Sequence, residues 1–390
     1  MGYTFLLETP PTPIHRRIAA GLTQALLCQG QRVLQFSAAQ VPSGAALLPQ
    51  IARAGVDWVL VTTQGDLFCD PLPDQDSFVF AQSPVPVVFL HHETLLSHCL
   101  DRPAIAQGWR AFQEAAAQTR HFCLERHNVT ALQNLGVHQA WQTDHASEFT
   151  YFDPQGEYWY DVSFVGHVLP GLGEKLAQLP PPLAHLRQAI EARLQDLTTP
   201  LGPAGRALSP DPAGLLEDLT EATLHLALAH RISQQFRGAL LNRLEGVTVD
   251  IIGGDPAYLR QSGEPLRYLD SPHIRTHPPT ANEQATAEVY ARSRINLNIT
   301  SLQFDAAVIN RVIDVGAVGG FILTDWREDL ARITSVHEEI AYRTPEELNA
   351  KIHYYLSHEA ERLAVAKQLH RDVREGYTYG HKAQNMLRYL

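Results

Sequence analysis

The chain has 390 residues, 45% of them hydrophobic and 19% charged, with a formal net charge of −11. That length accommodates two domains, each with its own core. The acidic balance holds in both halves, since residues 1–160 carry 8 Arg, no Lys and 14 Asp plus Glu; this argues against a nucleic acid or an anionic membrane as the main partner.

In chain order, Tyr3 to Glu8 reads as a buried strand, stopped by the Pro-rich turn Thr9 to Pro13. A helix runs from Ile14 to about Gln29, and Arg32 to Phe36 forms a second strand. Val56 to Thr63 and Val85 to His91 are further apolar strands, His121 to Glu125 a fifth, and Asn128 to Leu135 begins a helix. Strands alternating with helices predict a parallel, doubly wound sheet of the α/β class. No G-x-G-x-x-G follows the first strand, so a dinucleotide site is not expected there. His91 and His92 end the fourth strand and are the catalytic candidates of this half, with Thr12 and His15 in the first turn behind them. Among 19 histidines, packing or surface roles are the commoner fate. No metal-ligand spacing occurs, and Cys28, Cys69, Cys99 and Cys123 form no C-x-x-C pair, which suits free thiols in a reducing cytoplasm. No apolar run approaches the ~20 residues of a membrane span, and Met1 to Glu8 lacks the basic region of a signal peptide.

Residues 143–160 turn polar and aromatic, an interdomain connection. Asp161 to His167 then opens a second domain with a strand ending Phe164-Val165-Gly166. Residues 176–245 form a helical block, for which an acceptor-shaping or dimerising role stands beside plain packing. Val247 to Ile252 is a strand, and Gly253-Gly254-Asp255-Pro256 is either a nucleotide-side loop or a plain turn. Thr280 to Glu283 has the pattern of a capping box for a helix reaching Ala291.

The stretch Tyr290 to Asp325 reads as strand, polar turn, helix, glycine stop and strand. Ile295, Leu297 and Ile299 alternate with Asn296, Asn298 and Thr300. Asp305 can cap a helix that Gly319-Gly320 closes. On that helix Asn310, Arg311 and Asp314 fall opposite the apolar face. They are either a solvated face or an amide, a cation and a carboxylate converging where open parallel sheets bind nucleotides. Downstream, Thr344 and Pro345 mark a helix start, Glu359 to Gly376 is another helix, and a last one follows Tyr377-Thr378-Tyr379.

Tyr290-Ala291-Arg292-Ser293, Ile295 to Asn298, Asn310-Arg311-x-x-Asp314, Gly319-Gly320 and Leu323-Thr324-Asp325 together resemble the donor-binding core of the "glycosyl transferases group 1" domain, in its spore-maturation-protein type. The resemblance is strong over about residues 245–390. It implies the GT-B fold, two Rossmann-like domains facing across a cleft. The first would span 1–150 on the acceptor side and the second 161–375, with helix 376–390 returning to the first. The implied function is metal-independent, retaining transfer of a sugar, a hexose by analogy, from a nucleotide-diphosphate sugar, with no cofactor beyond that donor.

On the same resemblance, Gly166, His167, Gly254, Asn298, Asp305, Asn310, Arg311 and Asp314 would line the nucleotide sugar, and His91, His92 and Arg311 would serve catalysis. Relatives place an Arg after the glycine of F-V-G and a Lys five positions later. Here these positions hold His167 and Leu172, with Lys175 beyond, which leaves Arg311 as the candidate for the phosphates. The first glutamate of the wider group's E-x7-E pair falls on Ala306, with Asp305 adjacent, and the carboxylate aligned with Asp314 holds the ribose. A nucleotide-sugar or glycan binder without turnover is the alternative, and an epimerase or a phosphorylase, which share the fold, is a further one. A phosphorylase would need a cofactor lysine, and Lys occurs only at 175, 351, 367 and 382.

Overall fold

A computed structural model describes residues 2–10, 12–63, 67–72, 77–202, 208–253 and 273–390. The chain divides into two units. One comprises Met1–His145, Gly202–Ala227 and Tyr379–Leu390; the other comprises Ala146–Leu201 and Leu228–Thr378. Residues 202–227, expected within a second-domain helical block, thus group with the first unit, as does the last helix. The long helix Pro212–Leu241 is therefore shared.

In the first unit, β1 (Thr4–Glu8), β2 (Arg32–Phe36), β3 (Trp58–Val61), β4 (Val87–His91), β5 (Thr119–Cys123) and β6 (Ala140–Gln142) form a sheet in the order β2-β1-β3-β4-β5-β6, every pair parallel. β1, β3 and β4 are buried along their whole lengths, the expected state of a strand covered on both faces. The core joins Val59, Val87, Phe89 and Trp109 to Leu215 and Leu219 of the long helix. This is why that helix's first half belongs here: Leu215 and Leu219 put an apolar stripe on this sheet's helix layer, and the Trp109 Nε1 donates to Thr223 Oγ1 at 3.1 Å. The terminal helix Tyr379–Leu387 packs on Pro13–Cys28, where Gly21 leaves room for the Tyr379 ring.

In the second unit, β7 (Tyr160–Val165), β8 (Val249–Ile252), β9 (Ile274–His277), β10 (Ser293–Asn298), β11 (Ile322–Asp325) and β12 (Ala341–Tyr342) follow the order β12-β11-β10-β7-β8-β9, again all parallel. Counted within the unit, this is the doubly wound 3-2-1-4-5-6 arrangement. Its strand order reverses between β7 and β10, the switch point where such sheets bind ligands beyond their carboxyl ends. Val162, Phe164, Ile295, Leu297, Ile322 and Leu323 fill the core between sheet and helices.

The helix after β10 starts later than the sequence suggests. It spans Asn310–Val318, with Ile309 at the N-cap position and Gly319, at φ 84°, closing it in the left-handed conformation. Asp305 does not cap it. That carboxylate is taken by Arg193 Nη1 at 2.8 Å and by the Leu201 backbone N–H at 2.9 Å. Arg193 is fully buried, and a buried guanidinium recruits whatever carboxylate lies within reach. Likewise Asn282, not Thr280, caps the helix Glu283–Ala291, by accepting from the Ala285 N–H. Thr344 and Pro345 do start the helix Pro345–Ser357.

Candidate functional site

The carboxyl ends of β7 and β10 are joined by one side chain. Arg311, in the first turn of its helix, donates from Nη1 to Asn298 Oδ1 at 2.6 Å and from Nη2 to the Val165 carbonyl at 2.7 Å. Its guanidinium also lies over the Phe164 ring, 4.7 Å from the centroid. The planar fork of arginine suits this bridge, since its donors diverge in one plane. Gly166 takes a φ of 146°, and a Cβ there would stand 3.2 Å from Arg311 Nη2, so the strand end is shaped to the guanidinium. Arg311 Nε is buried and has no partner among the described residues.

A second cation faces the first. Arg237, on the long helix, donates from Nε to the Ile299 carbonyl at 3.1 Å and from Nη2 to Ser301 Oγ at 2.6 Å. Its pKa is pulled down to about 9, first by desolvation and then by the positive charge of Arg311, with Asp325 acting the other way. Seven residues earlier on the same helix face, His230 is held below its ordinary pKa by burial, by Arg237 and by Arg231, and its buried Nδ1 has no partner among the described residues. Two guanidiniums bonded at or just beyond the ends of β7 and β10 bring positive charge to the strand-switch point, an arrangement suited to an anion. Sequence reading missed Arg237 because no motif surrounds it. The available signal was Gly238 beside it, a helical glycine whose added Cβ would strike the Leu169 backbone.

Behind the cations lies a buried polar chain. Asn298, fully buried, donates from Nδ2 to Thr324 Oγ1 at 2.9 Å and to Thr300 Oγ1 at 3.2 Å, while its backbone carbonyl accepts from the Tyr342 hydroxyl at 2.6 Å. Asp325 accepts from the Thr300 N–H at 2.9 Å and from Thr300 Oγ1 at 2.8 Å, and its other oxygen pairs with Arg327. Asn298 therefore positions Arg311 from behind and is not itself open to a ligand.

The other expected residues fall as follows. His167 is half-buried, with Nδ1 at 3.0 Å from the Gly253 carbonyl. Gly254 lies outside the described residues. Asn310 and Asp314 do share a helix side with Arg311, but the solvated or ligand-facing carboxylate expected at 314 is not found. Asp314 is 1% exposed; Ser147 Oγ donates to its Oδ1 at 2.7 Å and Asn310 Nδ2 to its Oδ2 at 3.3 Å. Residues 146–149 cover that flank of the helix, which helical periodicity alone does not reveal. Asp314→Ala is expected to lower stability by about 1–3 kcal/mol, the cost of an unpaired buried group. In thermal unfolding, a Ser147→Ala change should then add little on top of it if the two act as one pair.

In the first unit the two histidines diverge. His91 Nε2 lies 2.9 Å from His121 Nδ1, and its ring stacks on Phe89 and His121 at 5.3 and 5.2 Å. Burial pulls its pKa down to about 3, so it is a neutral, packed group. His92 is also buried and stays neutral, through desolvation and then the charge of Lys382, but neither ring nitrogen has a partner among the described residues. Thr12 Oγ1 holds His15 Nδ1 at 2.6 Å in the first turn. Among the described residues no group of three His, Cys, Asp or Glu could hold a metal ion, and no helix is long and apolar enough to cross a membrane.

Residues 231–388 match the family model described as "Glycosyl transferase-like". No curated protein matches the chain. Among solved structures, it is similar to sucrose-phosphate synthase from Thermosynechococcus elongatus, with a TM-score of 0.59 and 10% identity over 99% of this chain and 98% of that one. It is also similar to T4 phage β-glucosyltransferase, with a TM-score of 0.55 and 10% identity over 99% and 98%. The Anabaena HepE protein, solved in complex with UDP-glucose, gives a TM-score of 0.53 and 10% identity over all of both chains. These likenesses show the fold: two Rossmann-like six-stranded parallel sheets of the GT-B class, with the glycosyl transferase-like match covering most of the second.

Proposed function

We propose that the protein is a glycosyltransferase using a nucleotide-diphosphate sugar, whose diphosphate is held by Arg311 and Arg237 at the β7/β10 switch point. The observation that carries this reading is the pair of mutually repelling guanidiniums, tied to strand ends and backed by a helix N-terminus that no side chain caps. When the bond from the anomeric carbon to the diphosphate breaks, negative charge grows on the leaving group, and fixed cations lower the barrier without having to reorganise. Arg237 takes the role that the residues after Gly166 lack. The first helical N–H groups, beginning at Asn310, add a partial positive charge from the same side.

Supporting observations are the family-model match over residues 231–388 and two similar structures whose descriptions include UDP-glucose. UDP-glucose is therefore the first donor to test. Retention, a hexose donor and the spore-maturation-protein type of the family belong to the same proposal and rest on the motif residues quoted above.

The test is calorimetric titration of purified protein with UDP-glucose and other nucleotide sugars, followed by assay of released nucleoside diphosphate. Binding by the wild type, with a loss of roughly tenfold or more in Arg237→Ala, supports the reading. Binding of no nucleotide sugar, or binding untouched by loss of either arginine, refutes it. Because the two arginines supply the positive charge, release should persist in EDTA. Loss of turnover on chelation, restored by Mg²⁺, would assign that charge role to a metal. Binding without any release on any acceptor would favour the non-catalytic alternative.

A further inference from the structure

The amino-terminal ends of β7, β8 and β9 border a groove of about 370 Å³, within the size range of sites that take small molecules. It belongs to the second unit alone, and the length of β7 separates it from the strand end to which Arg311 is bonded. Trp159, Tyr160, Asp161, Thr248, Asp250 and Arg275 line it. Trp159 leaves 51% of its surface in water, whereas Trp58 and Trp109 are buried. It is nonetheless fixed. Its backbone N–H donates to the Arg292 carbonyl at 2.8 Å, and the Arg292 guanidinium lies over its ring, 5.0 Å from the centroid. Arg292 is held in turn by Glu157, whose Oε2 accepts from Nη1 at 3.2 Å. An exposed indole that is already fixed loses little entropy when an apolar surface packs on it.

The polar groups beside the indole keep hydrogen-bonding capacity to spare. The Asp161 side chain is 65% exposed and gives one oxygen to Arg294 Nη1 at 3.2 Å. Asp250 Oδ1 lies 2.7 Å from His277 Nε2, and its second oxygen has no partner among the described residues. The same holds for the exposed Arg275 guanidinium and for the half-buried hydroxyls of Tyr160 and Thr248. Burial and then the charge of Asp250 raise the Tyr160 pKa, which keeps that hydroxyl a donor. Charges of both signs thus share one groove. An anion meets Asp161 and Asp250, and a cation meets Arg275. A neutral molecule with several hydroxyls can donate to the carboxylates while it accepts from the guanidinium. A pyranose has those hydroxyls on its rim and an apolar C–H face that suits an indole.

We propose that this groove is a saccharide-binding site, which holds a neutral pyranose unit of a glycan with its C–H face on Trp159 and its hydroxyls on Asp161, Asp250 and Arg275. It lies at the opposite ends of the strands from the donor residues and takes part in no transfer step. It therefore stands whether or not the donor reading does.

The test is a titration of the whole protein, without nucleotide, followed by saturation-transfer NMR. The probes are maltotriose, cellotriose and triacetylchitotriose, with trigalacturonate as the anionic counterpart. At least one neutral trisaccharide is expected to bind with a Kd of about 1 mM, and trigalacturonate more weakly. Trp159→Ala should weaken that binding about tenfold or more, and Arg275→Gln about threefold. Both side chains are exposed, so both variants should unfold at the wild-type temperature. The proposal is overturned if no neutral trisaccharide binds at ~20 mM, if either variant binds as the wild type does, or if trigalacturonate binds most tightly. Trp159→Ala should titrate with UDP-glucose as the wild type does, so failure of the donor reading is scored independently of this one.

Discussion

In a titration with UDP-glucose, Arg311→Ala is expected to bind roughly 10- to 150-fold more weakly than wild type, the loss of one charge-assisted contact worth about 1.5–3 kcal/mol. If the contact strengthens as the leaving group departs, kcat should fall with it, whereas a contact made equally in ground and transition states would change KM alone. Arg311→Lys separates charge from geometry. An ammonium keeps the charge but cannot place planar donors on Asn298 Oδ1 and the Val165 carbonyl together. Lysine should therefore recover only part of the affinity. The alanine variant must be checked for folding, because it leaves the buried Asn298 oxygen unpaired, at about 1–3 kcal/mol. A folded Arg311→Ala with wild-type donor affinity would move the donor site elsewhere.

Asp325→Ala should give the largest loss of stability, about 3–5 kcal/mol, the usual cost of breaking one half of a buried ion pair. The carboxylate is fully buried, pairs with Arg327, and accepts both the N–H and the hydroxyl of Thr300. Its removal leaves the Arg327 guanidinium, 3% exposed, without its carboxylate partner. For a unit of this size the midpoint of thermal unfolding should drop by roughly 6–20 °C, at about 2–4 °C per kcal/mol. Asp325→Asn, which keeps acceptors for Thr300 while losing the charge, should fall between. A drop of a degree or two in both would mean that the Asp325–Arg327 pair contributes little net stability. Donor affinity should suffer in both as well, since Thr300 and Asn298 hold the strand end to which Arg311 is bonded.

Where the sequence carries a local and repeated signal, it was sufficient. The apolar runs at Val85–His91 and Phe321–Leu323 read as strands, which the structure has at Val87–His91 and Ile322–Asp325, and their alternation with helices implied parallel sheets. Gly319 and Thr344-Pro345 mark their helix ends through short-range chemistry, a left-handed backbone at one and a side-chain cap with a fixed φ at the other. The motif around Asn310 and Arg311 likewise pointed to a strand-to-helix junction, and Arg311 lies at the switch point.

What tertiary structure decided depends on partners far away in the chain. Asp305 had the spacing of a cap, but a charge-assisted contact to Arg193, more than a hundred residues distant, outcompetes a helix N–H. Asp314 sits on the polar side of an amphipathic helix, yet residues 146–149 cover it, so helical period could not tell burial from exposure. Arg237 carries no motif at all. It matters because folding brings its charge close to that of Arg311 just beyond the end of β10.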